Sequence, residues 1–220
     1  MTPRPLTGRH GERSAGTPPA VSREQRILEA AEKLFSERSF DGVGVDAIGK
    51  EAGVTGSAIY RHFSNKEEIL AVLFDRVTDA LMVRLGEPSH DPRDELARLV
   101  GAHVEFVVTH QRLAAIWARE QRTLTQANQR NLLRRQRQYT DRWITALDKC
   151  YPGHHRADLA STMRALHALI TSDATRPPGG NRSPELQGLL ANLALAALEG
   201  LSQPPAGRAT ETEPFLRQSG

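Results

Sequence analysis

The sequence predicts an all-α fold, and three observations support that prediction. Apolar residues recur every three or four positions through most of the chain, which is the spacing of amphipathic helices. Aromatic residues make up only 5% of the 220 residues, whereas strands are enriched in aromatic and β-branched residues. No segment shows a convincing strand alternation or an internal repeat. The single cysteine, Cys150, excludes an internal disulfide framework and predicts a reducing compartment.

The two ends of the chain differ in composition from its middle. Residues 1–21 and 203–220 are rich in proline, glycine and threonine, which predicts a disordered N-terminal tail and a flexible C-terminal tail. The start of the chain lacks the apolar core of a signal peptide. The most apolar stretch, Leu189–Leu198, is about half as long as a membrane span. We therefore expect a soluble, cytoplasmic protein that has no membrane partner.

Capping residues and a glycine stop divide the first part of the body into four predicted helices. Ser22 and Thr55 are predicted N-caps, Gly53 ends the second helix, and Ser64 forms a capping box with Glu67. The predicted helices run from Ser22 to about Arg38–Phe40, over 45–52, from Thr55 to about His62, and from Ser64 to Leu85.

The second part of the body carries longer helical patterns. A breaker cluster at 86–92 precedes it, and a proline- and glycine-rich loop at 175–181 interrupts it. The predicted helices run over about 92–110, 113–124, 128–150, 155–171 and 184–200. Charge is unevenly distributed, because residues 22–85 carry a net charge of −2 and residues 110–150 carry +6.

The two short helices at 45–62 have the form of a helix-turn-helix. Their apolar residues can form a small core against the first helix, so that the second short helix faces outward and fits a major groove. Hydroxyl groups and an ammonium group on that outer face suit phosphate contacts. The residues predicted to face outward are Thr55, Gly56, Ser57, Tyr60, Arg61 and His62, followed by Lys66.

The segment from Arg23 to about Leu70 resembles the DNA-binding domain of the TetR family of bacterial transcriptional regulators. The landmarks that carry the resemblance are Ile27–Ala31, Phe40–Val43, Val45–Ile48, Glu51–Val54, Ala58–Phe63 and Asn65–Leu70. The resemblance makes Thr55, Ser57 and Tyr60 the recognition-helix contacts, with Tyr60 and Lys66 mainly on phosphate. Val45 and His62 take supporting positions. The sequence departs from the common pattern at Gly44 and Gly49, and Gly49 is expected to soften its short helix.

The resemblance also implies an organisation for the whole chain. It predicts a three-helix N-terminal helix-turn-helix DNA-binding domain over 22–68 and a larger helical ligand-binding and dimerisation domain over 69–202. Family members are typically homodimers, and two recognition helices about 34–36 Å apart read a palindrome. We therefore expect a repressor that binds a DNA operator as a homodimer and is released by a small effector.

Apolar stripes interrupted by a few polar groups mark the third quarter of the chain. Such stripes suit a pocket for a hydrophobic effector, and they equally suit an ordinary helical core. Glu120 lies on one stripe, where a carboxylate must be paired with Arg119, Arg122 or a polar effector, or be solvated. The predicted effector-binding residues are Phe106, His110, Ile116, Trp117, Glu120, Arg134, Tyr139 and Trp143.

Arginines at 130, 134 and 137 share one helical face. They form either a solvated face or a site for an anionic group. The arrangement of Ile116–Glu120 followed by Arg134–Arg137 and Tyr139 is similar to that of TetR-type regulators of lipid catabolism that sense acyl-coenzyme A esters. This similarity implies an apolar tunnel for the acyl chain and arginines for the phosphates. A free fatty acid or an apolar drug would need only the tunnel.

Leucine and small alanine residues are interspersed along the last two predicted helices. That composition is typical of close helix packing across a two-fold interface, and the family places its dimer interface there. The predicted interface residues are Leu159, Met163, Leu166, Ile170, Leu189, Leu193 and Ala197. His167 is expected in the core or at its rim.

Other functions have weaker support in the sequence. It contains no HExxH, GxGxxG, P-loop or GxSxG pattern, so we expect neither an enzyme nor a cofactor. His154, His155 and Cys150 are too weak a set to predict a metal site. Arg4, Arg9 and Arg13 form either an arm that contacts DNA or a solvated tail.

Overall fold

The computed structural model describes residues 22–176 and 181–202. Both predicted tails, and the arm with Arg4, Arg9 and Arg13, lie outside the described residues. Nine α-helices and no strand occur within them. The helices are α1 (Arg23–Arg38), α2 (Val45–Ala52), α3 (Gly56–Ile59), α4 (Lys66–Leu85), α5 (Pro92–Thr109), α6 (Gln111–Glu120), α7 (Gln126–Cys150), α8 (Arg156–Thr171) and α9 (Leu186–Glu199). The all-α prediction is therefore confirmed.

Local capping signals explain where most of the early helices begin and end. Ser22 accepts a hydrogen bond from the Gln25 amide at 3.1 Å, as predicted. Gly53 ends α2 in the left-handed conformation with φ 66°, which glycine adopts without steric cost. Thr55 caps α3 by accepting a hydrogen bond from the Ala58 amide at 3.3 Å.

Several helix boundaries differ from the prediction. The helix α3 ends at Ile59 rather than near His62, because a tight turn closes where the His62 and Phe63 amides both donate to the Ile59 carbonyl. The N-cap of α4 is Asn65 rather than Ser64, since the Asn65 side chain accepts from the Glu68 amide at 2.8 Å. The helix α6 runs from Gln111, directly after α5, to Glu120, whereas the sequence predicts a helix over 113–124.

The buried side chains form one connected core that extends from α1 to α9. The helix α4 runs without a break across the predicted domain boundary at residue 68 and packs against both parts of the chain. The helix α5 lies at the centre of the larger part, where it contacts α4, α7, α8 and α9. No helix within residues 22–176 and 181–202 combines the length and apolar character needed to cross a bilayer.

A close approach of backbone explains the glycine at position 49. A Cβ atom on Gly49 would lie 2.9 Å from the Val54 carbonyl oxygen, while the Val54 amide donates to the Gly49 carbonyl at 2.9 Å. The sequence-based expectation that Gly49 only softens α2 is therefore incomplete. Here the glycine lets the turn between α2 and α3 close tightly.

We expect Gly49→Ala to lower the free energy of unfolding by about 1–2 kcal/mol, because the clash outweighs the gain in helix propensity. Gly101→Ala in α5 is the matched control, since its Cβ would meet nothing within 4 Å. That control should gain about 0.5–1 kcal/mol from helix propensity. Urea unfolding of the two variants measures both changes. Stabilisation of similar size in both variants would contradict the steric account of Gly49.

Candidate DNA-binding surface and effector domain

The helix α3 presents a row of hydroxyl groups to solvent. Thr55, Ser57 and Tyr60 are all exposed, and 58% of Tyr60 is accessible. The Thr55 and Ser57 hydroxyl oxygens lie 3.0 Å apart. On the opposite side, Ile59 and Phe63 are buried in the core and hold the helix in place. The surface can therefore offer several hydroxyl donors to phosphates and base edges without moving the core.

The other residues predicted to contact DNA surround this row. Arg61 and His62 are exposed in the turn after α3, and Gly56 is partly exposed at its start. Gly56 also lies close to α2, since a Cβ there would be 2.9 Å from an Asp46 carboxylate oxygen. Val45 is partly buried at the start of α2.

Lys66 joins the DNA-binding helices to the end of α1. Its ammonium nitrogen donates to the Phe40 carbonyl at 2.7 Å and lies 4.0 Å from the centre of the Phe40 ring. An ammonium group has three donors. The observed hydrogen bond therefore leaves donors for the phosphate contact predicted for Lys66.

Glu120 reaches the same segment from the larger part of the chain. It is buried at the end of α6, where it accepts from the Phe40 amide at 3.1 Å and from the Thr123 hydroxyl at 3.1 Å. We call the contacts that Lys66 and Glu120 make with the Phe40 backbone the Phe40 junction. Within the described residues Glu120 has no basic partner within 4 Å. The structure therefore corrects the expectation of an ion pair with Arg119 or Arg122.

Arg119 and Glu67 strengthen the connection between the two parts. Arg119 donates to the Phe35 and Ser36 carbonyls at 3.2 and 2.8 Å, in the last turn of α1, where a cation also offsets the helix dipole. Glu67 accepts from the Thr125 amide at the start of α7. Ser39 lies between the Arg119 contact at Ser36 and the Glu120 contact at Phe40, and it has a φ of 66°. A change in the position of α6 therefore acts directly on the helices that present α3.

We expect Glu120→Ala to lower the free energy of unfolding by about 1–3 kcal/mol, because the buried Phe40 amide loses its acceptor. Glu120→Gln keeps an oxygen acceptor at that position and should lose less than half as much. Chemical denaturation at pH 7 measures both changes. Equal losses in the two variants would show that the hydrogen bond to Phe40 is not the stabilising contact.

The predicted effector-binding residues separate into three places. Phe106, Ile116, Tyr139 and Trp143 are buried in the core. Trp117 packs edge-on against Phe74 with ring centres 4.9 Å apart. His110 stacks on Phe106 with ring centres 5.1 Å apart. Glu120 belongs to the Phe40 junction, and Arg134 lies on an open groove along α7.

Sequence reasoning missed a buried polar cluster in the larger part of the chain. His103 on α5 and His167 on α8 stack with ring centres 4.2 Å apart and planes within 8°. The His103 Nδ1 atom lies 2.7 Å from the Tyr139 hydroxyl oxygen, and the Trp143 ring meets the His167 ring edge-on at 5.1 Å. We call these four side chains the histidine cluster. Residues 103 and 167 are far apart in the chain, so no local pattern pairs them.

Burial controls the ionisation of the histidine cluster. It lowers the pKa of His167 to about 4. Burial also lowers the pKa of His103 well below its usual value, and repulsion from His167 adds to that effect. The pKa of Tyr139 is raised by burial, and the nearby Trp143 N–H and Arg142 only partly offset the rise. At pH 7 the cluster therefore carries no charge.

The arginines of α7 divide between ion pairs and an open groove. Arg135 bridges to Asp75 and Asp79 of α4 at 2.9 Å each. Arg142 makes a buried ion pair with Glu95 at 2.6 Å and donates to the Gly86 carbonyl at 2.6 Å. Both arginines therefore hold α7 against its neighbours.

The α7 groove lies between this helix and the segment that joins α4 to α5. Its volume is about 580 Å³. Its lining includes Pro88, His90, Arg134, Arg137, Arg142 and Lys149. Arg134, Arg137 and Lys149 are exposed, and in the described part of the chain they have no acidic partner within 4 Å. The groove can therefore attract an anionic group.

The outer face of α9 carries exposed apolar side chains. Leu189 and Leu193 are 46% and 47% exposed, and Ala197 is also exposed, as an interface requires. The remaining predicted interface residues, Leu159, Met163, Leu166 and Ile170, are buried inside the chain itself. For these four the prediction is wrong, because the apolar stripe of α8 faces its own core. The exposed face of α8 instead carries small residues, including Ala165 and Ala168.

Two family models together match most of the described chain. Residues 27–73 match the model described as bacterial regulatory proteins of the tetR family. Residues 89–198, half of the chain, match the model described as the tetracyclin repressor-like C-terminal domain. The chain belongs to the TetR family. It is a DNA-binding transcriptional regulator with a helix-turn-helix, as the sequence predicts, and the TetR family consists of regulators rather than enzymes.

Individual relatives agree with this assignment. The transcriptional repressor KstR2 of Mycobacterium tuberculosis is 29% identical over 143 residues, which cover 63% of this chain and 72% of KstR2. The solved structure of the ketosteroid regulator KstR2 has a TM-score of 0.67 at 24% identity and covers 86% of this chain and 98% of KstR2. The structure of AibR in complex with isovaleryl coenzyme A and operator DNA has a TM-score of 0.65 at 19% identity and covers 80% of this chain and 97% of AibR. The two structures show that the TetR fold is shared.

Proposed function

We propose that this TetR-family protein is a repressor that binds a palindromic operator as a homodimer and is released by a hydrophobic effector. The observation that carries the proposal is the exposed row of Thr55, Ser57 and Tyr60 on a helix connected to α6 through the Phe40 junction. An effector that binds the larger domain and prefers another position of α6 would lower operator affinity by its differential affinity for the two states.

The apolar face of α9 supports the homodimer. Leu189 and Leu193 lie one turn apart on α9, and each exposes nearly half of its surface. Contiguous exposed apolar residues of this kind mark protein interfaces. Small residues on the neighbouring face of α8 allow close helix approach. The two-fold copy of the same face is the partner that we propose.

We propose an acyl-coenzyme A ester as the effector class. Its nucleotide phosphates would bind the unpaired cations of the α7 groove, since guanidinium groups match phosphate geometry. Its acyl chain would enter the apolar core beside α7. The relative AibR forms a complex with isovaleryl coenzyme A, which supports the proposal. A free fatty acid or an apolar drug is the alternative, because neither needs the groove.

Selection of bound duplexes from random DNA by the full-length protein tests the regulator proposal. We expect a palindrome with half-sites about one helical turn apart, bound by a species that sediments as a dimer. A variant with Leu189→Glu and Leu193→Glu should be monomeric and lose binding. Recovery of no preferred sequence by a folded dimer, or an intact dimer in that variant, would overturn the respective part of the proposal.

Release of the selected duplex tests the effector class. We expect decanoyl-coenzyme A to release the duplex, and Arg134→Ala with Arg137→Ala to weaken that response about tenfold or more. Arg130→Ala is the matched control, because Arg130 is exposed on α7 outside the groove. A response to decanoate but not to its coenzyme A ester would favour the alternative.

A further inference from the structure

Among the residues that the structure describes, three buried nitrogens of the histidine cluster lack a hydrogen-bond partner. They are His103 Nε2, His167 Nε2 and Trp143 Nε1, whose N–H lies near the Tyr139 hydroxyl without hydrogen-bond geometry. Trp143 is fully buried, and only 7% of His103 is accessible. Buried polar atoms in native proteins are almost always paired, so an unpaired group needs an explanation. Here three of them come from three different helices, α5, α7 and α8, and belong to rings that pack against one another.

The surroundings of these nitrogens are apolar. Val100 and Val107 flank His103 on α5, and Met163 and Ile170 flank His167 on α8 at helical spacing; all four are buried. A core that needed only packing could use apolar side chains at 103 and 167. The polar atoms therefore indicate a partner that is not part of the chain.

The chemistry of the three nitrogens defines that partner. The Trp143 indole can only donate, whereas each neutral imidazole Nε2 donates or accepts according to its tautomer. The His103 Nδ1 atom is already engaged by the Tyr139 hydroxyl, which leaves the Nε2 side free. Arg142, whose charge acts on Tyr139, is already paired with Glu95, so a carboxylate placed in the cluster would be uncompensated. A carbonyl or hydroxyl oxygen fits the donors without that penalty.

We propose that His103, Trp143 and His167 form the recognition site for an uncharged carbonyl or hydroxyl oxygen on an otherwise apolar effector. The inference rests on the proposed function, in which the larger domain binds such an effector. It deepens that proposal, because it selects esters, thioesters, ketones and alcohols over free carboxylic acids. Water is the competing partner, since buried waters commonly satisfy such groups.

Trp143 fluorescence in the full-length protein tests the site. Trp117 is the only other tryptophan, so Trp117→Phe leaves Trp143 as the single reporter. The probes are methyl decanoate, decanoate and decane at pH 7. We expect methyl decanoate to bind at least tenfold more tightly than either of the others. Equal affinity for the ester and decane, or no binding by any probe, would overturn the proposal and indicate that water alone occupies the cluster.

His167→Leu separates recognition from structure. Because the replaced nitrogen has no partner, this variant should unfold at a higher temperature than the parent without ligand, yet lose the tenfold preference for the ester. His155→Gln is the control, since His155 is exposed at the start of α8, away from the cluster, and it should keep the preference. Retention of the preference in His167→Leu would contradict the assignment.

A measurement on the parent protein does not depend on variants. With ¹⁵N-labelled histidine, methyl decanoate should shift the Nε2 resonances of His103 and His167 and leave those of exposed histidines unchanged. Binding without these shifts would place the ester elsewhere and overturn the inference. Operator selection is independent of both readouts, so failure of this site is distinguishable from failure of the regulator proposal.

Discussion

Between about pH 6.5 and pH 4, the free energy of unfolding should fall by about 1.4 kcal/mol per pH unit on account of His167, and His103 should add to the loss. In the folded chain, burial keeps the pKa of His167 at about 4 and that of His103 well below its usual value. In the unfolded chain both rings take up protons below about pH 6.5. The unfolded state therefore binds more protons in this range, and stability is lost as the pH falls. For His167 alone the loss amounts to roughly 3 kcal/mol at pH 4.

Urea unfolding of the parent and of His167→Leu at pH 7, 6, 5 and 4.5 measures this effect. The slope of the free energy of unfolding against pH should be smaller in the variant by about 1.4 kcal/mol per pH unit, because His167 no longer contributes. Carboxylates that titrate below pH 5 contribute to both proteins and cancel in the difference. His155→Gln is a suitable control, since His155 is exposed, and it should follow the parent. Parallel curves for the parent and His167→Leu would contradict the prediction.

Tyr60→Ala should weaken binding to the selected operator by roughly 10- to 100-fold. Tyr60 is 58% exposed beside α3. Each protomer of a dimer would lose one hydrogen bond to phosphate, at a cost of about 1–1.5 kcal/mol per protomer. Stability should change by less than about 0.5 kcal/mol, because the side chain is on the surface. Fluorescence anisotropy with the labelled duplex at one stated salt concentration gives the affinity.

Two further variants interpret that result. Tyr60→Phe removes only the hydroxyl, so it should weaken binding nearly as much as Tyr60→Ala, because both variants lose the hydrogen bond to phosphate. Val83→Ala changes an exposed apolar residue on α4 away from α3 and should bind as the parent does. If Tyr60→Ala bound the operator as tightly as Val83→Ala, the proposed role of Tyr60 would be wrong.

Short-range signals make the first part of the fold predictable. The cap at Ser22, the stop at Gly53 and the cap at Thr55 depend on residues at most five positions away, and the structure confirms all three. The predicted cap of α4 is wrong by one residue, because Ser64 and Asn65 are both good caps and the reciprocal partner is Glu68. The family resemblance rests on the same local segment.

Long-range contacts account for what the sequence could not predict. Glu120 meets the Phe40 amide across 80 residues, and His103 stacks on His167 across helices that only the tertiary fold brings together. The prediction for the α8 residues is wrong for a related reason. A periodic apolar stripe predicts that one face is buried, but it does not tell whether the chain or a second copy covers it.

The conformation of Ser39 has an energetic consequence for release of DNA. A positive φ in a residue other than glycine costs about 1–3 kcal/mol and persists only where neighbouring contacts enforce it. At Ser39, with φ 66°, those contacts are the Arg119 bonds to the end of α1 and the Glu120 bond to Phe40. Both come from α6. A movement of α6 that broke these contacts would relieve the strain at Ser39, so the strain would offset part of the free energy that such a movement costs.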